Sequence, residues 1–215
     1  MLSVSNISLA YEGRTLASGI SFTLDKGECV LLCGPNGSGK TTLLRQLSSL
    51  CKEAVMVPTR IPKVKGFTVR EFMETSAYAV TDMFGRISTR EKGLLDGALD
   101  ELGISALSDR DISTLSDGEF QKACIATALA REASVLLLDE PTAFLDVEAR
   151  LAVLETLRRI SAGRAVLFSS HDIRDAAPLC TRVIGLDGKG GFADSARGED
   201  VFKRVFEQYG QAVYN

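Results

Sequence analysis

The chain has one histidine, His171, and no tryptophan among its 215 residues. A single imidazole, with no cysteine at ligand spacing from it, excludes the usual nitrogen and sulfur zinc sites. The five cysteines, Cys29, Cys33, Cys51, Cys124 and Cys180, are odd in number and lack paired metal-type spacing. They read as reduced, mostly buried thiols rather than a disulfide framework, which fits a cytoplasmic chain. No stretch reaches the roughly 18 apolar residues of a membrane helix, and MLSVSNISLAYEG has neither the basic start nor the apolar run of an export signal. A formal net charge of −3 gives no general footprint for a polyanion, so no nucleic-acid partner is expected.

An apolar content of 45% is enough for one substantial core, so residues 1–215 are expected to form a single domain. NISLAYEG and TLASGISFTLDKG alternate with period two around Glu12-Gly13-Arg14, as antiparallel strands do. ECVLLC, SVLLLDE, AVLFSS and RVIGLD are short apolar runs rich in Val, Leu and Ile. Helical patterns separate them: KTTLLRQLSSL, with Leu43, Leu44, Leu47 and Leu50, and DVEARLAVLETLRRI, with Val147, Leu151, Leu154 and Leu157 as one stripe. Strands alternating with helices predict an α/β fold with a mostly parallel sheet covered on both faces and an antiparallel β lobe at the N-terminus. From about 68 to 130 no strand pattern interrupts three helices, opened by Thr68 with Glu71, Ser88 with Glu91, and Ser116 with Glu119 as capping boxes. This stretch is expected to be a helical subdomain inserted in the α/β core.

GPNGSGKTT carries the chemistry most openly. Gly34, Pro35, Asn36, Gly37, Ser38, Gly39, Lys40, Thr41 and Thr42 match a phosphate-binding loop between a strand and a helix start, the context that motif requires. Its glycines let successive backbone N–H groups curl around a phosphate, and the helix dipole adds to the attraction. Lys40 is placed to bridge the β- and γ-phosphates, and Thr41 to offer its hydroxyl to Mg²⁺. These residues predict a P-loop NTPase core. Asp139 and Glu140 follow an apolar run, where a parallel sheet presents functional groups: Asp139 for Mg²⁺, Glu140 to polarise an attacking water. In LSDGE, Ser116 and Glu119 form a helix cap, and Ser116 with Gly118 also suits a γ-phosphate brought by a second subunit.

The order GPNGSGKTT, LSDGE, LLLDEP, FLD and SSHD resembles the ATP-binding subunits of ABC transporters over nearly the whole chain. The resemblance implies two ATP per head-to-tail homodimer, each ATP held by one phosphate loop and closed over by Ser116, Asp117, Gly118 and Glu119 of the other copy. It assigns His171 to the γ-phosphate and to holding Glu140. Tyr11 is similar to the aromatic that stacks on adenine, or is an ordinary strand tyrosine. Asp146 resembles the aspartate that touches the partner, or serves only as a helix N-cap. Permease subunits encoded separately are implied, docking near residues 59–67, with the chain peripheral on the inner face of the membrane.

Two departures stand out. LSDGE carries Asp117 and Glu119 where the commoner pattern is LSGGQ, and both carboxylates are expected to turn away from a phosphate. Thr59 occupies the place of a glutamine that reaches Mg²⁺, so any contact with the metal is expected through water. The stretch from Val57 onward is most similar to importers of siderophores, haem or cobalamin. Two other readings stay open: a soluble ABC ATPase that moves no solute, as in iron–sulfur assembly, and an ATP-dependent regulatory module with little turnover. VFKRVFEQYGQAVYN reads as a terminal amphipathic helix with no chemistry assigned.

Overall fold

In a computed structural model, residues 1–77, 87–195 and 201 are described. The chain opens with β1 (Leu2–Tyr11) and β2 (Arg14–Leu24), paired antiparallel as the period-two alternation predicts. Then come β3 (Cys29–Cys33), α1 (Lys40–Leu50) and β4 (Ala54–Val57). Three helices follow: α2 (Val69–Ala77), α3 (Thr89–Glu101) and α4 (Asp117–Ala130). The chain returns through β5 (Val135–Leu138), α5 (Val147–Ser161), β6 (Ala165–Ser169), the short α6 (Ile173–Ala176), β7 (Arg182–Leu186) and β8 (Phe192–Ser195).

Six strands form one sheet in the order β4-β5-β6-β3-β7-β8, parallel except for the final pair. All five residues of β3, the four of β5 and the five of β6 are buried, as strands covered on both faces must be. Alternation divides them between two cores. Val30, Leu32, Leu137 and Leu167 pack with α1 and the β1–β2 pair. Leu31, Leu138, Val166 and Phe168 face the cluster that holds α2 to α5. Because those faces are filled, polar groups emerge at the carboxyl edge of the parallel strands.

The three capping boxes form. Thr68, Ser88 and Ser116 each receive the N–H of the residue three ahead, and Glu71, Glu91 and Glu119 each return to the cap's backbone N–H. Among the described residues from 68 to 130 the only strand-like pairing is an isolated bridge between Thr68 and Asp111. The segment from 201 lies, Val201 apart, outside the described residues.

The edge strand β8 follows a glycine-rich turn and carries no apolar run that marks it in the sequence, and its Phe192, Ala193 and Ser195 are only partly buried. One sequence expectation is corrected. The apolar stripe of α5 is rotated. Val147 and Leu151 are 64% and 40% exposed, and the face that packs carries Val153, Leu154, Leu157 and Ile160, roughly a quarter-turn away. Leu50 is likewise exposed at the end of α1, whereas Leu43, Leu44 and Leu47 are buried. Leu154→Ala is therefore expected to cost about 2–5 kcal/mol in urea denaturation and Leu151→Ala under about 1 kcal/mol; equal losses would put the stripe back where the spacing alone placed it.

Candidate functional site

Four connections leave the carboxyl edge of adjacent strands: residues 34–39 after β3, 58–68 after β4, 139–146 after β5 and 170–172 after β6. The first is the glycine-rich loop. Gly34 has φ 151°, and a Cβ there would lie 2.4 Å from the carbonyl oxygen of Leu186 and 2.7 Å from Ser38 Oγ, so only glycine lets the loop leave β3 this close to β7. Gly39, at φ 103°, is the N-cap of α1 and aims the helix start back at the loop.

Lys40 is 7% exposed and turns inward. Its Nζ donates to the carbonyls of Gly34 (2.9 Å) and Pro35 (3.3 Å) and stands 3.5 Å from His171 Nε2. Burial lowers its pKa, opposed by the charges of Glu140 and Asp139. A cation held this way by neutral carbonyls is short of negative charge, which a triphosphate supplies. Ser38 Oγ, in the same loop, is buried with no hydrogen-bond partner among the described residues.

Thr41 Oγ1 donates to Asp139 Oδ2 at 2.8 Å, joining the start of α1 to the end of β5. Two hard oxygen donors at a cleft floor, with room left for water and phosphate oxygens, fit Mg²⁺. Ser169 Oγ donates to Asp139 Oδ1 (2.9 Å) and accepts the N–H of Glu140 (2.9 Å). Glu140 itself has φ 50°, an uncommon conformation for a side-chain-bearing residue, which that bond from β6 helps to hold. Its carboxylate receives the backbone N–H of His171 on Oε2 (3.2 Å), and His171 Nε2 lies 3.2 Å from Oε1.

Lys40, Thr41, Asp139, Glu140 and His171 share one cleft of about 340 Å³, lined also by Tyr11, Asn36, Gly37, Gly39, Thr42 and Thr59. Tyr11 is 57% exposed at the end of β1. The other expected residues lie elsewhere in the chain. Ser116, Asp117, Gly118 and Glu119 start α4, where Ser116 is exposed and Gly118 packs under Ala149 of α5. Asp146 caps α5 by accepting the N–H of Ala149 at 2.8 Å. Thr59 borders both the cleft and a second groove, of about 490 Å³, between the sheet and the helices.

Sequence reading missed two residues that organise this edge. Ser169 stands inside SSHD, but its bridge between Asp139 and Glu140 depends on β5 and β6 being neighbours. Arg150 binds Asp172 and Asp175 (3.1 Å each) and the carbonyl of Leu145 (3.4 Å), tying the turn after Glu140 to the segment that carries His171. Neither has a local motif. The thiols are not candidates: all five are free, and burial pushes Cys33 and Cys124 up to about 12.

Burial raises the Glu140 carboxyl above its ordinary 4.5, with Asp139 adding to the effect and His171 and Lys40 opposing it. The folded state thus holds that proton more tightly than the unfolded chain, and the fold weakens as the pH rises from the ordinary 4.5 through the raised folded value. Glu140→Gln is expected to melt higher at pH 7, on the order of 2–4 °C, with the gain fading as the pH falls through the raised folded value and gone below the ordinary 4.5. A melting temperature at pH 7 equal to or below that of the parent would contradict this.

A family model described as ABC transporter matches residues 17–143. The iron(3+)-hydroxamate import ATP-binding protein FhuC of Bacillus subtilis is 29% identical, across 96% of this chain and 87% of its own length. The petrobactin import ATP-binding protein FpuC of Bacillus anthracis is 31% identical, across 96% and 86%. In fold, a metal-chelate type ABC transporter solved in an inward-facing conformation superposes with a TM-score of 0.84 at 24% identity, covering 95% of this chain and 88% of that one. With more than half of its length matched by the family model and full-length relatives on either side of 30% identity, the chain belongs to the ABC transporter family, among its ATP-binding, ATP-hydrolysing subunits.

Proposed function

We propose that this chain is the ATPase subunit of an importer for an iron-siderophore, haem or cobalamin type compound, working as a homodimer on separate permease subunits at the inner face of the membrane. The observation that carries the chemistry is the convergence of Lys40, Thr41, Asp139, Glu140 and His171 on one cleft. The siderophore part of that cargo class is supported by two relatives that import iron(3+)-hydroxamate and petrobactin. Residues 1–215 act as one nucleotide-binding domain, with the helices of about 68–130 as its inserted subdomain.

Residues 34–42 take the phosphates on their backbone N–H groups, and Tyr11 stacks on the base at the mouth of the cleft. Lys40 exchanges its carbonyl partners for β- and γ-phosphate oxygens. Thr41 and Asp139 would hold Mg²⁺, with any contact from Thr59 made through water. Bound there, the ion neutralises the charge growing on the phosphate oxygens. Glu140 orients the attacking water and receives its proton, an uptake that burial of the carboxyl favours. His171 contacts the γ-phosphate and fixes Glu140, as its two contacts with that carboxylate suit it to do. Ser116 and the Gly118 backbone of the second copy close over the γ-phosphate, and Asp146 meets the partner at the same seam. Permease helices seat in the groove lined by Thr59, Arg60 and Phe144.

Purified protein is expected to hydrolyse Mg-ATP slowly, and Glu140→Gln to lower turnover by roughly 100-fold or more while eluting as a dimer in Mg-ATP. Equal turnover in the two proteins would remove Glu140 from the chemistry. A variant that stays monomeric with ATP would contradict the shared site.

A further inference from the structure

Asp117 is the first residue of α4, beside the Ser116 cap that the proposed pairing brings to a triphosphate. A carboxylate at a helix start is favourable for the helix, yet it opposes an incoming polyanion. The structure supplies a counter-charge from a distant part of the chain. Lys63 Nζ, on the connection after β4, donates to Asp117 Oδ1 at 2.7 Å and to the Leu115 carbonyl at 2.9 Å. It also lies 5.4 Å above the Phe120 ring, one turn along α4. The Lys63 side chain is 26% exposed, so its ammonium is held against protein while Asp117 stays 65% exposed. The second acid is neutralised differently. Glu119 accepts the backbone N–H of Ser116 at 2.8 Å and its hydroxyl at 3.0 Å, with Arg110 3.6 Å from its other oxygen.

We infer that Lys63 is a positioning residue that makes the acid-bearing start of α4 compatible with phosphate, by drawing the Asp117 carboxylate aside and cancelling its charge. The inference rests on the paired-subunit reading and names what that reading requires of this particular sequence. Without Lys63, Asp117 faces the partner's triphosphate uncompensated, once at each of the two composite sites of a symmetric dimer.

The test uses the full chain with Glu140→Gln as parent, Mg-ATP as ligand, and the dimer dissociation constant from sedimentation as readout. Lys63→Met is expected to raise that constant about threefold to fivefold per site, so roughly tenfold or more for the dimer, with the larger effect at low salt. Adding Asp117→Asn to Lys63→Met is expected to restore it to within about twofold of the parent. A Lys63 that served only to pack on Phe120 and hold Leu115 would not be rescued by removing an acid. An unchanged constant in Lys63→Met, or a loosened dimer that Asp117→Asn leaves loose, overturns the inference alone. A parent that forms no dimer with Mg-ATP overturns the paired reading and this inference with it.

Discussion

Ser169 Oγ, fully buried at the end of β6, donates to the carboxylate of Asp139 and accepts the N–H of Glu140. The rest of the site depends on that pair of bonds. Through them the end of β6 sets the direction of both acids at the end of β5, and Asp139 in turn receives the Thr41 hydroxyl from α1. Two neighbouring strands and the helix α1 thus share one short chain of hydrogen bonds, and their rigidity is passed to groups that must lie within a few tenths of an ångström of a reacting phosphate. Burial on both sheet faces makes this possible, because it leaves the strand ends as the place where polar side chains can meet.

Holding that arrangement weakens the fold locally. Glu140 sits at a positive φ, its charge disfavoured by burial, and Lys40 is buried against neutral carbonyls. Lys40 is poised for the negative charge of a triphosphate, and Glu140 for taking up a proton. Arg150 and Ser169 spend their hydrogen bonds on keeping these groups in place.

Much of this edge was legible in the sequence because its instructions are local. GPNGSGKTT specifies a turn, a helix start and a lysine within nine residues, and each capping box is complete within four. What escaped was fixed by pairing at long range. Ser169 bridges two acids only because β5 and β6 are adjacent, and Lys63 meets Asp117 across 54 positions of chain. The α5 stripe misled for a related reason: spacing gives a helix its period, whereas the sheet it packs against decides which side is inward. Phe144, Val147 and Leu151 remain exposed around the start of that helix. Thr59 shows the other limit, since its position bordering both cleft and groove follows from the fold alone.

The central claim is that the carboxyl-edge cleft holds Mg-ATP and is completed by a second copy. A structure of Glu140→Gln with Mg-ATP tests it most directly. The expected result is a triphosphate on residues 34–42, the ion between Thr41 and Asp139, and Ser116 of the partner subunit on the γ-phosphate. Nucleotide bound away from Lys40, or a γ-phosphate left open to solvent in a monomer, would contradict it.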